Sequence, residues 1–193
     1  ELSKTQAKLV ASVEATKGSL DFGIFGSKYV FRALSDAGRT DLAYAMATKE
    51  DAPSFGNWIK RGATTAWEDW GDGASRNHIM FGDLSAWMYQ YLGGIRLATS
   101  VSTIANAPID AKAVGFKRFV IAPQPVKGLS WVKAEHDSPY GFIRSEWLIK
   151  NGAFELDAEV PVNTEATVIL PAFNGKPSAS QLVGSGKWHF TVK

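Results

Sequence analysis

The sequence predicts a segregated α+β fold, in which helices fill the first half of the chain and an antiparallel β-sandwich follows. Two observations support this prediction. In the first half, apolar residues recur at the spacing of one helix face, whereas beyond about Ile95 they alternate with polar residues. With 193 residues, 45% of them hydrophobic, the chain is long enough to bury a core in each half. We therefore predict two domains, residues 1–95 and residues 96–193.

Three or four helices are predicted before residue 95. Their apolar faces comprise, in chain order, Leu2, Leu9, Val10 and Val13; Tyr29, Val30, Ala33, Leu34 and Ala37; Leu42, Ala43, Met46 and Ala47; and Phe81, Leu84, Met88, Tyr91 and Leu92. Gly38 is expected to end the second helix and Gly93-Gly94 the last, because glycine readily adopts the conformation that terminates a helix. Thr40 is predicted to cap the third helix, and Asn77 or Ser75 the last, by accepting from free first-turn amides.

Short strands with turn residues between them are predicted after residue 95. The alternation is clearest where Phe154, Leu156 and Ala158 are separated by acidic residues, and it recurs around Trp188 and Phe190. Further strands are expected at residues 116–122, 129–134, 142–149 and 164–170. Residues 184–186, Gly-Ser-Gly, are expected to form a hairpin between strands. Such spacing favours an antiparallel sandwich, with each strand burying one face.

Composition excludes several classes of function. The net charge of +2 arises from 21 basic and 19 acidic residues without a basic run, so nucleic acid is not an expected partner. No apolar run approaches the roughly 20 residues of a membrane helix. The chain has no cysteine, and His78, His136 and His189 are far apart in sequence, so neither a metal nor another cofactor is expected.

One segment carries a candidate site. Residues 62–70, GATTAWEDW, place two carboxylates between two indoles, and His78 follows Glu68 by ten residues. Indoles present flat faces to a sugar ring, and a carboxylate beside apolar rings is partly desolvated, a setting typical of general bases. The alternative is an amphipathic turn whose tryptophans are core and whose acids are solvated, and spacing alone favours that alternative.

This segment and the NHIMFG that follows at residues 77–82 resemble the catalytic signature of bacterial α-L-rhamnosidases, inverting glycoside hydrolases with an α/α-toroid catalytic domain. Residues 20–29 (LDFGIFGSKY) and 34–39 (LSDAGR) resemble that family's last helical hairpins. Residues 115–117 (GFK), 123–125 (PQP) and 137–141 (DSPYG) resemble its C-terminal β-sandwich. The resemblance covers nearly the whole chain in order, and it implies the C-terminal part of such an enzyme: closing helices of the toroid, then the sandwich.

The resemblance assigns roles to individual residues. It makes Glu68, directly after Trp67, the general base, the alternative being a capping or salt-bridging acid; Asp69 is then a supporting or solvated residue. His78 matches a position that binds rhamnose hydroxyls, although a histidine near a helix end is otherwise usually a structural donor. Trp67 is assigned to packing. For Trp70, packing and contact with the sugar are equally expected.

Trp58, with Phe55, precedes the motif in a predicted loop where the family builds part of its cleft wall, so Trp58 is a further candidate for substrate binding. Asp21 is a weaker candidate.

The expected enzyme is incomplete. In the family the general acid lies upstream, in toroid hairpins that precede residue 1, and a few helices cannot close a toroid. The first residue is Glu1 and a helical pattern is already running there, so the chain is expected to be part of something larger. The predicted partners are a rhamnose-containing glycoside or polysaccharide and either the rest of the catalytic domain or a second copy of this chain.

The chain alone is expected to be nearly inactive. The alternative function is a non-catalytic carbohydrate-binding or scaffold module. A periplasmic or secreted location is favoured over a cytoplasmic one, although the compartment is not established by the sequence.

Overall fold

A computed structural model describes residues 2–19, 22–98 and 111–193, and these residues form two compact units, Glu1–Trp87 and Met88–Lys193. The first unit is helical and the second is built on two β-sheets, which confirms the predicted segregated α+β class. The predicted domain boundary between residues 95 and 96 stays a prediction. None of the described helices combines the length and apolarity that crossing a bilayer would require.

The described residues of the helical unit form five α-helices: α1 (Leu2–Ala15), α2 (Ile24–Asp36), α3 (Thr40–Ala47), α4 (Phe55–Lys60) and α5 (Asp83–Trp87). A 3₁₀ turn at Ile79–Gly82 precedes α5. Of the positions predicted for the second and third helices, Ala33, Leu34, Ala43 and Met46 are buried, whereas Tyr29 is 49% exposed, so these faces form the core only in part. Phe31 and Trp87, which the pattern did not include, are fully buried as well. The indole Nε1 of Trp87 donates to the buried hydroxyl of Ser35 at 2.9 Å, which ties α5 to α2.

The helix ends are only partly as predicted. Gly38 lies at φ +76° just after α2, in the left-handed region that glycine enters without strain, so its predicted role is confirmed. Thr40 was predicted to cap α3, and Asn77 or Ser75 the last helix, and both predictions are wrong. The residues at these cap positions are Arg39 before α3 and His78 before the 3₁₀ turn, and neither side chain makes a capping hydrogen bond. Helix α4 was not predicted, and Ser54 caps it by accepting from the amide of Asn57 at 2.9 Å.

In the second unit, residues 88–98 and 111–193 form a sandwich of two four-stranded sheets. Its strands are β1 (Ile95–Leu97), β2 (Arg118–Ile121), β3 (Trp131–Ser138), β4 (Gly141–Lys150), β5 (Ala153–Val160), β6 (Glu165–Leu170), β7 (Ala179–Val183) and β8 (Gly186–Val192). One sheet has the order β1-β2-β6-β7 and the other β3-β4-β5-β8. All neighbours pair antiparallel except β2 and β6, which run parallel, so the prediction of an antiparallel sandwich holds for every other strand pair.

Both sheets contribute to one core. Phe154, Leu156 and Ala158 of β5 point inward with 3% of their surface exposed or less, which confirms the predicted alternation. The predicted hairpin at residues 184–186 is wrong, because β7 and β8 belong to different sheets and the segment crosses between them. Gly94 lies at φ +83°, and a Cβ there would stand 2.3 Å from the nitrogen of Pro123, so only glycine fits.

Candidate functional site

The candidate site lies in the loop between α4 and the 3₁₀ turn. Two backbone hydrogen bonds hold its halves side by side: the amide of Glu68 donates to the carbonyl of Ser75 at 2.8 Å, and the amide of His78 donates to the carbonyl of Ala66 at 2.7 Å. The hydroxyl of Thr65 adds a bond to the carbonyl of Arg76. These bonds bring Glu68 and His78 together although ten residues separate them.

The two side chains form a carboxylate–imidazole pair. Oε2 of Glu68 stands 3.8 Å from Nδ1 of His78 and accepts from the amide of Ser75 at 3.1 Å. A separation of 3.8 Å is too long for a direct hydrogen bond, but one water or hydroxyl oxygen can lie within hydrogen-bond distance of both atoms. The side chains of Glu68 and His78 are 39% and 30% exposed, so an incoming oxygen can reach them.

An aromatic cluster packs within the same unit. Trp58, Trp67 and Phe81 are buried, and Trp58 is only 3% exposed. Trp70 is partly buried; its ring centroid lies 4.6 Å from that of Trp58, and its Nε1 donates to the carbonyl of Phe22 at 2.7 Å. Aromatic pairs at such distances add to the stability that burial gives. The cluster thus provides a rigid base for the loop that carries Glu68.

Two arginines fix the outer part of the loop. The guanidinium carbons of Arg61 and Arg76 lie 5.0 and 5.2 Å from the ring centroid of Trp67. Arg61 also donates to the carboxylate of Asp72 at 2.6 Å and to the carbonyl of Gly71 at 3.2 Å. Arginine combines a fixed fork of donors with a planar face that stacks on indole, so one side chain can make both kinds of contact.

The structure brings some predicted residues together and separates others. Trp67 packs as predicted, and Asp69 is exposed, in keeping with a solvated acid. Trp58 lies in α4 rather than in a loop, and its buried indole offers almost no face to a ligand. Asp21 lies outside the described residues. The substrate-binding roles of Trp58, Trp70 and His78 and the catalytic role of Glu68 stay predictions.

Sequence reasoning missed the residues that orient the loop, namely Ser75, Arg61, Asp72 and Arg76. Arg61 and Asp72 are eleven positions apart across an irregular loop, where no periodicity indicates which side chains meet. Within the described part of the chain, no group of three His, Asp or Glu side chains is arranged to hold a metal ion.

Models of known protein families match both halves of the chain. Residues 1–92 match the family model of the bacterial alpha-L-rhamnosidase 6 hairpin glycosidase domain, and residues 107–184 match that of the bacterial alpha-L-rhamnosidase C-terminal domain. Together with the helical unit and the two sheets, these matches define the class: part of a hairpin-built glycosidase domain, followed in sequence by a β-sandwich domain. The chain belongs to the family of bacterial α-L-rhamnosidases.

Individual relatives support the same assignment. An α-L-rhamnosidase of Streptomyces avermitilis is 34% identical over 176 residues, which is 86% of this chain and 16% of that protein. One from Formosa agariphila is 33% identical over 165 residues, 82% of this chain and 16% of the relative. The crystal structure of the Streptomyces avermitilis α-L-rhamnosidase complexed with L-rhamnose superposes with a TM-score of 0.83 at 31% identity, covering 99% of this chain and 20% of that one. This chain therefore spans about a fifth or less of these relatives.

Proposed function

We propose that this chain supplies the general base of an α-L-rhamnosidase that hydrolyses terminal α-L-rhamnosyl bonds with inversion. Glu68 takes a proton from a water molecule, and the water oxygen forms a bond to the anomeric carbon while the glycosidic carbon–oxygen bond on the opposite face breaks and a second carboxyl group protonates the leaving oxygen. The supporting observation is the pair of Glu68 and His78, whose nearest polar atoms are 3.8 Å apart on a loop matching the glycosidase family model. A general base must lie within reach of the proton that it removes, and this carboxylate is partly exposed.

His78 is proposed to bind the sugar. Its imidazole is 30% exposed and stands beside the base, so a hydroxyl of the same ring that the water attacks can hydrogen-bond to it. For Trp70, partial exposure supports an apolar contact with the ring, whereas the burial of Trp58 supports a role in packing beneath the loop. The Streptomyces avermitilis relative was crystallised with L-rhamnose, which supports rhamnose as the bound sugar.

The proposed site is completed by another polypeptide segment. Inverting glycosidases need a second carboxyl group, roughly 6.5–9.5 Å from the first, to protonate the leaving oxygen. We assign that acid to the rest of a six-hairpin domain, because this chain covers only 16% of the two relatives. General acid assistance is worth roughly 10²–10⁴-fold, so the 193-residue chain alone is expected to be nearly inactive.

An exposed apolar groove supports this assembly. It runs between α2 and the segment from the 3₁₀ turn to α5, and its lining includes Phe25, Tyr29 and Ile79, all exposed. Contiguous exposed apolar surface on a soluble domain is typical of a covered interface. The proposed occupant is the remainder of the hairpin domain, and a second copy of this chain is the alternative.

A chimera tests the proposal. The matching segment of the Streptomyces avermitilis enzyme is replaced by this chain, and hydrolysis of p-nitrophenyl α-L-rhamnopyranoside is followed. Glu68→Gln is expected to lower kcat by about 100-fold or more because the amide cannot accept the proton, whereas Asp69→Asn, the neighbouring exposed acid, is expected to change kcat only a few-fold.

His78→Ala is expected mainly to raise KM. A folded, active chimera in which Glu68→Gln and Asp69→Asn have the same small effect would contradict the role of Glu68. A folded chimera without activity would contradict the proposed function itself.

A further inference from the structure

The outer face of the sheet β3-β4-β5-β8 carries ordered rows of polar side chains. Alternate residues of these strands point away from the core, and the strand register aligns them across the sheet. One row consists of Glu135, Arg144, Glu159 and Lys187. The neighbouring row consists of Lys133, Glu146, Asp157 and His189. Basic and acidic groups nearly balance within them, so the face has no strong attraction for a polyanion or a polycation.

A pit opens in this face between β4, β5 and β8. Its polar lining is formed by Arg144, Asp157, Glu159, Lys187 and His189, and its volume is about 230 Å³. Pockets that enclose a whole small ligand are larger, roughly 300–1,000 Å³. The pit therefore suits one sugar ring of a longer molecule rather than a ligand that must be engulfed.

The polar groups in the pit are held in place by their neighbours. Nδ1 of His189 lies 2.8 Å from Oδ1 of Asp157, and the hydroxyl of Thr191 lies 3.3 Å from Nε2 of the same imidazole. A carboxylate has two oxygens and can accept several hydrogen bonds, so Asp157 can still receive sugar hydroxyl protons while it holds His189. Side chains already fixed by cross-strand contacts lose little further freedom when a ligand binds.

An exposed indole stands on the same face. Trp131 begins β3, its register partner is Leu148, and it is 64% exposed. From the strand spacing of about 4.8 Å and a rise of about 3.4 Å per residue, Trp131 and His189 are separated by roughly 16 Å. A short oligosaccharide spans that distance, with one ring stacked on the indole and another in the pit.

We propose that this face of the sandwich binds a neutral oligosaccharide, with Trp131 stacking on one ring and Asp157, held in place by His189, accepting hydrogen bonds from the hydroxyls of another. This surface belongs to the second unit, whereas the Glu68 loop belongs to the first, and the proposal involves binding alone. Only the choice of rhamnose as the probe sugar rests on the function proposed above. The surface would hold a polymeric substrate without cleaving it.

The test is a titration of the ¹⁵N-labelled 193-residue chain with a neutral hexasaccharide of α-linked L-rhamnose, followed by amide and indole NMR shifts. We expect saturable shifts of the Trp131 indole N–H and of amides in β5 and β8, with a dissociation constant on the order of 1 mM. Trp131→Ala and Asp157→Asn are each expected to weaken this binding by about tenfold or more. Tyr29→Ala, which removes an exposed aromatic ring from the helical unit, is the matched control and should leave it unchanged.

The following outcomes would overturn the inference. The absence of shifts in β5 and β8 up to about 10 mM sugar overturns the inference, as does binding that Trp131→Ala and Asp157→Asn leave intact. Binding lost with His78→Ala but not with Trp131→Ala would place the sugar at the Glu68 loop; that result supports the proposed function and overturns this inference. Preserved amide dispersion in each variant shows that a loss of binding is not a loss of fold.

Discussion

Two buried tryptophans in the helical unit differ in one feature whose energetic effect can be measured. Trp87 is fully buried and its Nε1 donates to Ser35, whereas Trp58 is 3% exposed and its buried Nε1 has no hydrogen-bond partner among the described residues. Replacing either by phenylalanine keeps an aromatic ring and removes the same atoms, so the loss of packing is similar in the two variants. The difference in unfolding free energy between the two variants therefore measures what the hydrogen bond from Trp87 to Ser35 contributes.

The magnitude follows from the cost of unpaired buried groups. Trp87→Phe removes a bond worth about 1 kcal/mol and leaves the buried Ser35 hydroxyl without its donor. Trp58→Phe removes an N–H whose unpaired burial costs about 1–3 kcal/mol, which offsets part of the lost packing. We expect Trp87→Phe to lower the free energy of unfolding of the helical unit by about 2 kcal/mol more than Trp58→Phe does.

The assay is urea unfolding followed by ellipticity at 222 nm, to which the helical unit is the main contributor. Unchanged m-values would show that both variants unfold the same surface. Equal destabilisation, or greater destabilisation by Trp58→Phe, would refute the reasoning, because the lost ring atoms alone would then account for both changes.

Three further predictions concern other parts of the chain. Ser54→Ala removes the side chain that caps α4 and should destabilise the helical unit by about 1 kcal/mol in the same urea assay. Gly94→Ala would introduce a Cβ against Pro123 at a positive φ and should destabilise the sandwich by more than about 2 kcal/mol, measured by near-ultraviolet ellipticity. The side-chain bond from Arg39 lowers the pKa of Asp41, so this carboxylate stabilises the fold above its unfolded pKa and the effect is lost as pH falls through the folded pKa. Asp41→Asn should therefore flatten the acid limb of a plot of stability against pH, by a small amount because the pair is exposed.

Elements with a long local pattern were predictable from the sequence. Phe154, Leu156 and Ala158 alternate over several residues, and the strand that they predict is present with that face buried. The missed elements are short or lack a pattern. Helix α4 has six residues, too few for a helical period to repeat. Four of the five residues of β7 are exposed, so this strand shows no alternation of buried and exposed side chains. The parallel pairing of β2 with β6 joins residues far apart in sequence, which no local pattern reveals.

The candidate site was predictable only in part, for a similar reason. The residue types of the motif suggested sugar chemistry, but the meeting of Glu68 with His78 depends on backbone bonds from Glu68 to Ser75 and from His78 to Ala66. Those bonds lie in an irregular loop, whose path is set by contacts such as that of Arg61 with Asp72 rather than by periodicity. The resemblance to a family, and not the spacing, therefore indicated which acid to choose.

The most direct test of the account is chemical rescue of Glu68. In the active chimera, Glu68→Ala should lose hydrolysis, and added azide should restore turnover, because azide needs no base and can occupy the space that the carboxylate leaves. The azide nitrogen would bond to the anomeric carbon as the glycosidic carbon–oxygen bond breaks, and proton NMR should show β-L-rhamnopyranosyl azide, the inverted product. A folded variant that azide does not rescue, or one that yields the α-azide, would contradict the assignment of Glu68 as the base of an inverting displacement.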